Sequence, residues 1–277
     1  MTSRRRLRPA PAIAGAALVL LLATACGGGP SVAVKPPEGD VPSSGQFPHA
    51  TFTRLLEATV TSDGLVDYGA VEEQKDLLDL YLGEVARISP IGQPHLFPTF
   101  DDQLAYWINA HNAAALKGVL VLGRPKDLSK LGSDLDRMMF TFGGRPMSLL
   151  GVAGQIRKQF PDPRPFLVLV RGRRGGPPLE RRAFDAKDLE ERLETASRAF
   201  VKNPRYVEWK PPSSTVRVTV VILDERSEFE KLEPATVHGD VLLIEALNHF
   251  LPGREWILAT KVAPLPMNPR LNDVSNR

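Results

Sequence analysis

Residues 100–122 read F-D-D-Q-L-A-Y-W-I-N-A-H-N-A-A-A-L-K-G-V-L-V-L, and this run decides the fold. It is long enough for about six helical turns at ~3.6 residues each. Its apolar residues fall on almost every side of a helical wheel. That predicts a central helix buried all round, not a surface helix with one apolar stripe. Thr99 stands where a helix N-cap is needed, and Asp101 and Asp102 fall in the first turn, where acids suit the helix dipole.

The flanking stretches are shorter. Residues 49–60 predict a short helix and 65–68 an extended piece. Across 71–88, Leu77, Leu78, Tyr81, Leu82, Val85 and Ile88 recur at the helical period until Ser89-Pro90 stops them. Beyond the central run, 138–142 and 145–147 flank Gly143-Gly144 as a hairpin. Residues 149–160 predict a helix interrupted by glycine. The unbroken apolar run 165–170 has the pattern of a buried strand. Residues 187–201 predict an amphipathic helix, 206–209 with 215–222 a second hairpin, 240–250 a helix and 255–262 a strand. The class is α+β: a helical N-terminal half around one central buried helix, and a small sheet with hairpins in the C-terminal half.

A chain of 277 residues, 43% hydrophobic and 24% charged, can bury a large core without disulfides or metal. Its one Cys excludes an intramolecular disulfide, a Cys-rich zinc site and a Cys-held iron–sulfur cluster. The formal net charge is +3, but Arg4, Arg5, Arg6 and Arg8 account for it. Removing those four from 35 basic residues leaves 31 against 32 acidic ones. The basic character is thus local and predicts no nucleic-acid partner.

That basic cluster precedes an uncharged apolar run, residues 13–25, which is too short to span a ~30 Å hydrocarbon core as a helix. It has the form of a bacterial export signal. It ends in Leu22-Ala23-Thr24-Ala25-Cys26-Gly27, small residues just before the only Cys, as in a lipoprotein signal. Ala23 occupies position −3, where Leu is usual. The alternative is a plain secretory signal cut near Ala25. Ser3-Arg4-Arg5 adds a faint twin-arginine pattern. A lipidated Cys26 with two or more acyl chains would anchor the protein stably to a membrane. Residues 27–48 are rich in Gly, Pro and Ser without apolar periodicity, and predict a flexible tether.

Candidate chemistry is sparse. Asn109 and Asn112 share a face of the central helix. They either satisfy loop backbone groups or edge a ligand cleft. His111 has no metal-ligating neighbour at helical spacing and is expected at the surface or half-buried. The five histidines, His49, His95, His111, His238 and His249, form neither H-x-x-x-H nor H-E-x-x-H, so neither a metal nor a cofactor is expected. Arg164, Arg171, Arg173, Arg174, Arg181 and Arg182 gather with Gly172, Gly175 and Gly176. Such a loop could grip phosphate or carboxylate through forked contacts. Its plainer reading is a solvated loop paired with Asp162, Glu180 and Glu190. The glycine-rich nucleotide loops and the G-x-S-x-G elbow are missing from the sequence. The neighbouring acids Asp101/Asp102 and Glu190/Glu191 point apart on a helix and suit caps and surfaces.

Tyr106-Trp107-Ile108-Asn109-Ala110-His111-Asn112-Ala113 resembles the Phe-Trp-Ile-Asn-x-Tyr-Asn-Ala hallmark of the family called domain of unknown function 547. Val66-Asp67-Tyr68, Met147-Ser148-Leu149, Asp162-Pro163-Arg164, Pro177-Pro178-Leu179 with Ala183-Phe184, and Leu271-Asn272-Asp273 resemble its other landmarks in order. The resemblance spans roughly 52–273. Members tend to carry Ile-Glu-His, a further His and two Cys where this chain has Val152-Ala153-Gly154, Phe166, Arg171 and Gly176. Those absent residues could support thiol chemistry in relatives. Here they are replaced together.

The sequence therefore leads to these expectations. Residues 1–25 are a lipoprotein-type signal, 26–48 a tether and 49–277 a single domain. The protein sits in the cell envelope, anchored through Cys26, as a non-catalytic binding or structural module. The alternative is an enzyme acting on an anionic envelope substrate through Asn109, His111 and the 171–174 loop. A cleft formed by Asn109, His111, Asn112, Arg164, Arg171, Arg173 and Arg174 would take an anionic small molecule or glycan. For that, the 171–178 loop should lie beside the N-terminal half of the 100–122 helix.

Overall fold

The computed structural model describes residues 29–131, 134–234, 236–251 and 256–276, so the expected signal and Cys26 lie outside the described residues. Within them the helices are α1 (Ala50–Thr59), α2 (Tyr68–Glu73), α3 (Lys75–Arg87), α4 (Phe100–Val121), α5 (Asp134–Arg137), α6 (Leu149–Gln159), α7 (Leu189–Lys202), α8 (Val220–Asp224), α9 (Arg226–Glu230) and α10 (Asp240–Asn248). The strands are β1 (Met139–Phe142), β2 (Arg145–Ser148), β3 (Val207–Glu208), β4 (Thr215–Thr219) and β5 (Lys261–Leu265). This is an α+β fold.

Thr99 starts α4 through a reciprocal capping box. Its Oγ1 accepts from the Asp102 backbone N–H at 3.0 Å, while the Asp102 carboxylate accepts from the Thr99 N–H at 3.0 Å. The helix is then buried on every side, with Tyr106, Trp107, Ile108, Ala113 and Leu116 inaccessible. Helices α3, α6 and α7 pack around it. Trp107 stands edge-on to Tyr106, and its indole N–H has no hydrogen-bond partner. Its place in the core therefore rests on apolar burial alone.

The hairpin β1–β2 pairs Phe142 with Arg145 across Gly143-Gly144. Both glycines have positive φ, 55° and 77°, which the tight turn needs and a side chain would resist. The second sheet has the order β3-β4-β5, antiparallel then parallel. It belongs to a second apolar cluster, distinct from the one around α4, with Phe200, Tyr206, Val216, Val218, Ile222, Phe229, Leu243 and Leu247 at its centre.

Six expectations change. The 215–222 strand ends at Thr219, where α8 begins, and the strand expected over 255–262 is β5, Lys261–Leu265. The 71–88 helix is two helices broken at Gln74 (φ −106°, ψ 23°), and the first begins earlier, where Asp67 accepts from the Ala70 N–H. The glycines at 151 and 154 leave α6 unbroken. Residues 165–170 are buried but form no strand. Asp162 Oδ1 accepts from the Arg164 N–H at 2.9 Å, and a 3-10 turn, Arg164–Leu167, follows. Prolines at 163 and 165 remove the donors that a sheet ladder would use. Finally, residues 29–48 do not hang free of the domain. Val32 donates its N–H to Met139 O at 2.8 Å and is buried. Phe47 enters an aromatic cluster, stacked on Phe97 at 5.8 Å and edge-on to Tyr106 at 5.1 Å. Val34 and Val41 also pack on the core, and Arg87 donates to Gly39 O and Asp40 O, scattered contacts that periodicity cannot reveal.

Candidate functional site

A buried segment that forms no strand must still satisfy its peptide groups. On α4 two asparagines do this. Asn112 Nδ2 donates to Val168 O at 3.0 Å, and its Oδ1 accepts from the Val170 N–H at 2.9 Å. Asn109 Nδ2 donates to Phe184 O at 2.8 Å, and its Oδ1 accepts from the Phe184 N–H at 2.9 Å. Each carboxamide acts as one rung of a missing β-ladder. Of the two sequence readings, the structure bears out the backbone-satisfying one. Asn248 repeats the device in the second cluster, bonding Ile257 O (3.2 Å) and the Ile257 N–H (2.8 Å).

The other amide hydrogen of Asn109 points at His49 Nδ1, 3.1 Å away, and Tyr81 Oη lies 2.9 Å from the same nitrogen. With Asn109 and Tyr81 as donors, Nδ1 is bare and Nε2 carries the proton. Burial holds the His49 pKa down at about 4, against a smaller upward pull from Asp185 and Asp102. Nothing along the chain marks His49 beyond its identity, because its partners come from α3 and α4.

His111 is 1% exposed, not half-buried as expected, because α4 has no free face. Its Nδ1 lies 3.2 Å from Asn112 Oδ1, an acceptor, so Nδ1 bears the hydrogen. Burial lowers its pKa to about 3; the Asn112 bond opposes the shift and the Arg171 charge adds to it.

The arginines do not form the expected cluster. Arg164 is gripped by Asp162 (2.8 Å) and Glu190 (2.7 Å). Arg171 faces Asp224 (3.6 Å) and Glu225 (3.8 Å). Arg173 bridges Leu271 through its backbone, and Arg174 donates to the Asn276 carbonyl. Arg181 reaches Glu57 O at 3.3 Å, and Arg182 pairs with Asp188. The 171–178 loop also lies beside the other half of α4. A Cβ on Gly172 (φ +67°) would come within 3.0 Å of Val119 Cγ2 and 3.3 Å of Leu128 Cδ1. The reason is the order of the clamps: Asn112 holds 168–170, so the chain leaves toward the C-terminal turns and returns to Asn109 only at Phe184. Asn109 therefore faces Phe184 rather than the arginine loop.

Arg157 stands between Phe166 and Glu225. The Phe166 ring lies 5.3 Å beneath the Arg157 guanidinium, which donates Nε to Glu225 Oε2 at 3.2 Å, and Arg171 approaches the same carboxylate. Glu225 is 3% exposed and comes from the α8–α9 junction. Burial raises its pKa, and the two arginines offset part of that rise. Among the described residues, no group of three or more His, Cys, Asp or Glu side chains is placed to hold a metal ion. Nor, among them, is any helix long and apolar enough to cross a membrane.

The distant landmarks also converge. Val66 donates its N–H to Asn272 O at 2.9 Å, Tyr68 its hydroxyl to Asn272 Oδ1 at 2.9 Å, and Leu179 its N–H to Gly64 O at 3.3 Å. Residues 98–201 match the model of the family described as protein of unknown function, DUF547. The matched span holds α4, the first hairpin, α6, the arginine loop and nearly all of α7, and supports the resemblance carried by residues 106–113. No curated protein and no solved structure matches the chain.

Two outcomes follow from this geometry. Asn112→Ala orphans a buried N–H and a buried C=O, at about 1–3 kcal/mol each, so it should lower unfolding stability by about 2–6 kcal/mol. Asn112→Asp should cost as much, because a carboxylate cannot donate to Val168 O; urea melts of both variants check this. His49 has a folded pKa below its unfolded one. Its contribution is therefore complete above pH ~6.5 and is lost as pH falls toward about 4, because the unfolded chain binds the proton first. In urea melts at pH 7 and pH 4.5, His49→Gln should lose less stability between the two pH values than the wild type.

Proposed function

We propose that the chain is a lipid-anchored cell-envelope protein whose folded part is a non-catalytic binding or structural module. The observation that carries this reading is the cluster of Arg157 and Arg171, both partly exposed, on the buried Glu225. Phe166 lies under Arg157 and Arg171 reaches Glu225, and the resemblance sets these two positions against a His and a Cys of relatives. A carboxylate held between two guanidinium groups is costly to desolvate, and it carries no thiol. The enzyme reading needs His111, a loop arginine and an acid within hydrogen-bond reach in one open pocket. Instead, His111 bonds Asn112, and Glu225 bonds Arg157. The ion pairs of Arg164 and Arg171 also argue against the anionic ligand suggested by the arginine loop.

The anchor rests on Cys26 and the charged and apolar run before it. It places the module on the periplasmic side of a membrane or on the outer surface. Attachment through acyl chains needs no membrane-spanning helix. Cells fed a clickable fatty acid should label the wild-type chain and not Cys26→Ser, and the variant should leave the membrane fraction with its fold intact. An unlabelled wild type, or a variant that stays on membranes, contradicts the anchor.

A further inference from the structure

A cavity of about 430 Å³ opens where α4 begins, α6 ends and α7 begins. Leu104, Phe160, Leu189 and Leu193 line its apolar part, and Phe100 stands at the rim. Phe100 is 69% exposed, the most exposed phenylalanine among the large apolar residues on the surface, with its ring edge-on to Phe160 at 6.3 Å. It is the first residue of α4, and the capping box of Thr99 and Asp102 works without it. The fold therefore gives no reason for an aromatic ring there. A ring at the mouth of an apolar cavity of ligand size does have a use in binding.

The remaining lining groups are Pro161, the carboxamide of Gln159 and three carboxylates, Asp101, Asp162 and Glu190; among the described residues no basic side chain lines the cavity. The nearby Arg164 grips both Asp162 and Glu190, so one positive charge is set against two negative ones, and Asp101 adds a third. Two helices present their first turns here, which alone would favour an anion. Each first turn already carries two acids, Asp101 with Asp102 and Glu190 with Glu191. The local field is thus negative over an apolar floor.

We infer that this cavity binds an amphiphilic cation, a compact aromatic or short alkyl body bearing an ammonium group. The body replaces water over Leu104, Leu189 and Leu193. The ammonium sits at the rim between Asp101 and Glu190 and over the face of Phe100, where a cation is attracted by the ring quadrupole. The inference rests on the reading of the domain as a binding module and names its ligand class, a cation rather than the anion suggested by the sequence.

The test uses the full-length chain in phosphatidylcholine nanodiscs, with empty nanodiscs as the blank, titrated calorimetrically with three probes of like size. These are 4-phenylbutylamine, 4-phenylbutanol and 4-phenylbutanoate. The amine should bind at one saturable site about tenfold more tightly than the alcohol, and less so at high salt, while the carboxylate should bind least. Phe100→Ala should weaken both, and the amine more than the alcohol, because only the ammonium loses the ring quadrupole. Asp101→Asn with Glu190→Gln should remove most of the preference for the amine while leaving alcohol binding unchanged. Both side chains are exposed, and Asp162 still pairs Arg164 when Glu190 is replaced, so the fold is kept with at most a small shift in the thermal melt. Equal binding of all three probes, no saturable binding of any, or an undiminished preference in the double variant overturns the site. Such a failure leaves the anchored-module reading to the fatty-acid label, whereas turnover of a probe would overturn that reading itself.

Discussion

Peptide groups buried away from any sheet must find partners, and in this protein side-chain amides supply them. Between Val168 and Phe184 the chain crosses the central buried helix without forming a strand. Asn112 and Asn109 meet it with a donor and an acceptor each. The match is chemical as well as geometric. Only a carboxamide offers both functions at the right spacing; an acid lacks the donor and an alanine lacks both. The loop of arginines, the 3-10 turn before it and the return to α7 all hang from these two fixed points.

That constraint organises the rest of the site region. Because Asn112 fixes 168–170, Gly172 is carried against Val119, where only a glycine fits, and Arg171 is carried toward Glu225. Because Asn109 fixes Phe184, its spare hydrogen is available to His49, which joins the end of the 29–48 segment to α3 and α4. The polar residues of the W-I-N-x-x-N string thus form the frame of the fold. The places left for recognition lie at its edges, where α4 and α7 begin.

Much of the fold was legible because α4, α7 and the Gly143-Gly144 hairpin each carry a local signal: a cap, a period or a turn pair. The 165–170 run misled because apolar continuity speaks for burial and not for strand pairing; the prolines at 163 and 165 were the better guide. His111 looked half-exposed because one polar residue on an apolar helix suggests an edge, yet this helix has none. The plainer reading, pairing with Asp162 and Glu190, holds for Arg164; Arg171 looked free because Asp224 and Glu225, distant in sequence, were not yet beside it. Charge balance across elements is a property of the packed chain and cannot be counted along it.

Native-state hydrogen exchange at the amides of Val170 and Phe184 tests the central claim most directly. Both amides donate to a side chain rather than to regular backbone structure. If the asparagines are clamps built into the core, both should exchange only through global unfolding, as slowly as amides in the middle of α4. Exchange at the rate of an open loop would contradict the account. It would return Asn109 and Asn112 to the role of a mobile polar edge.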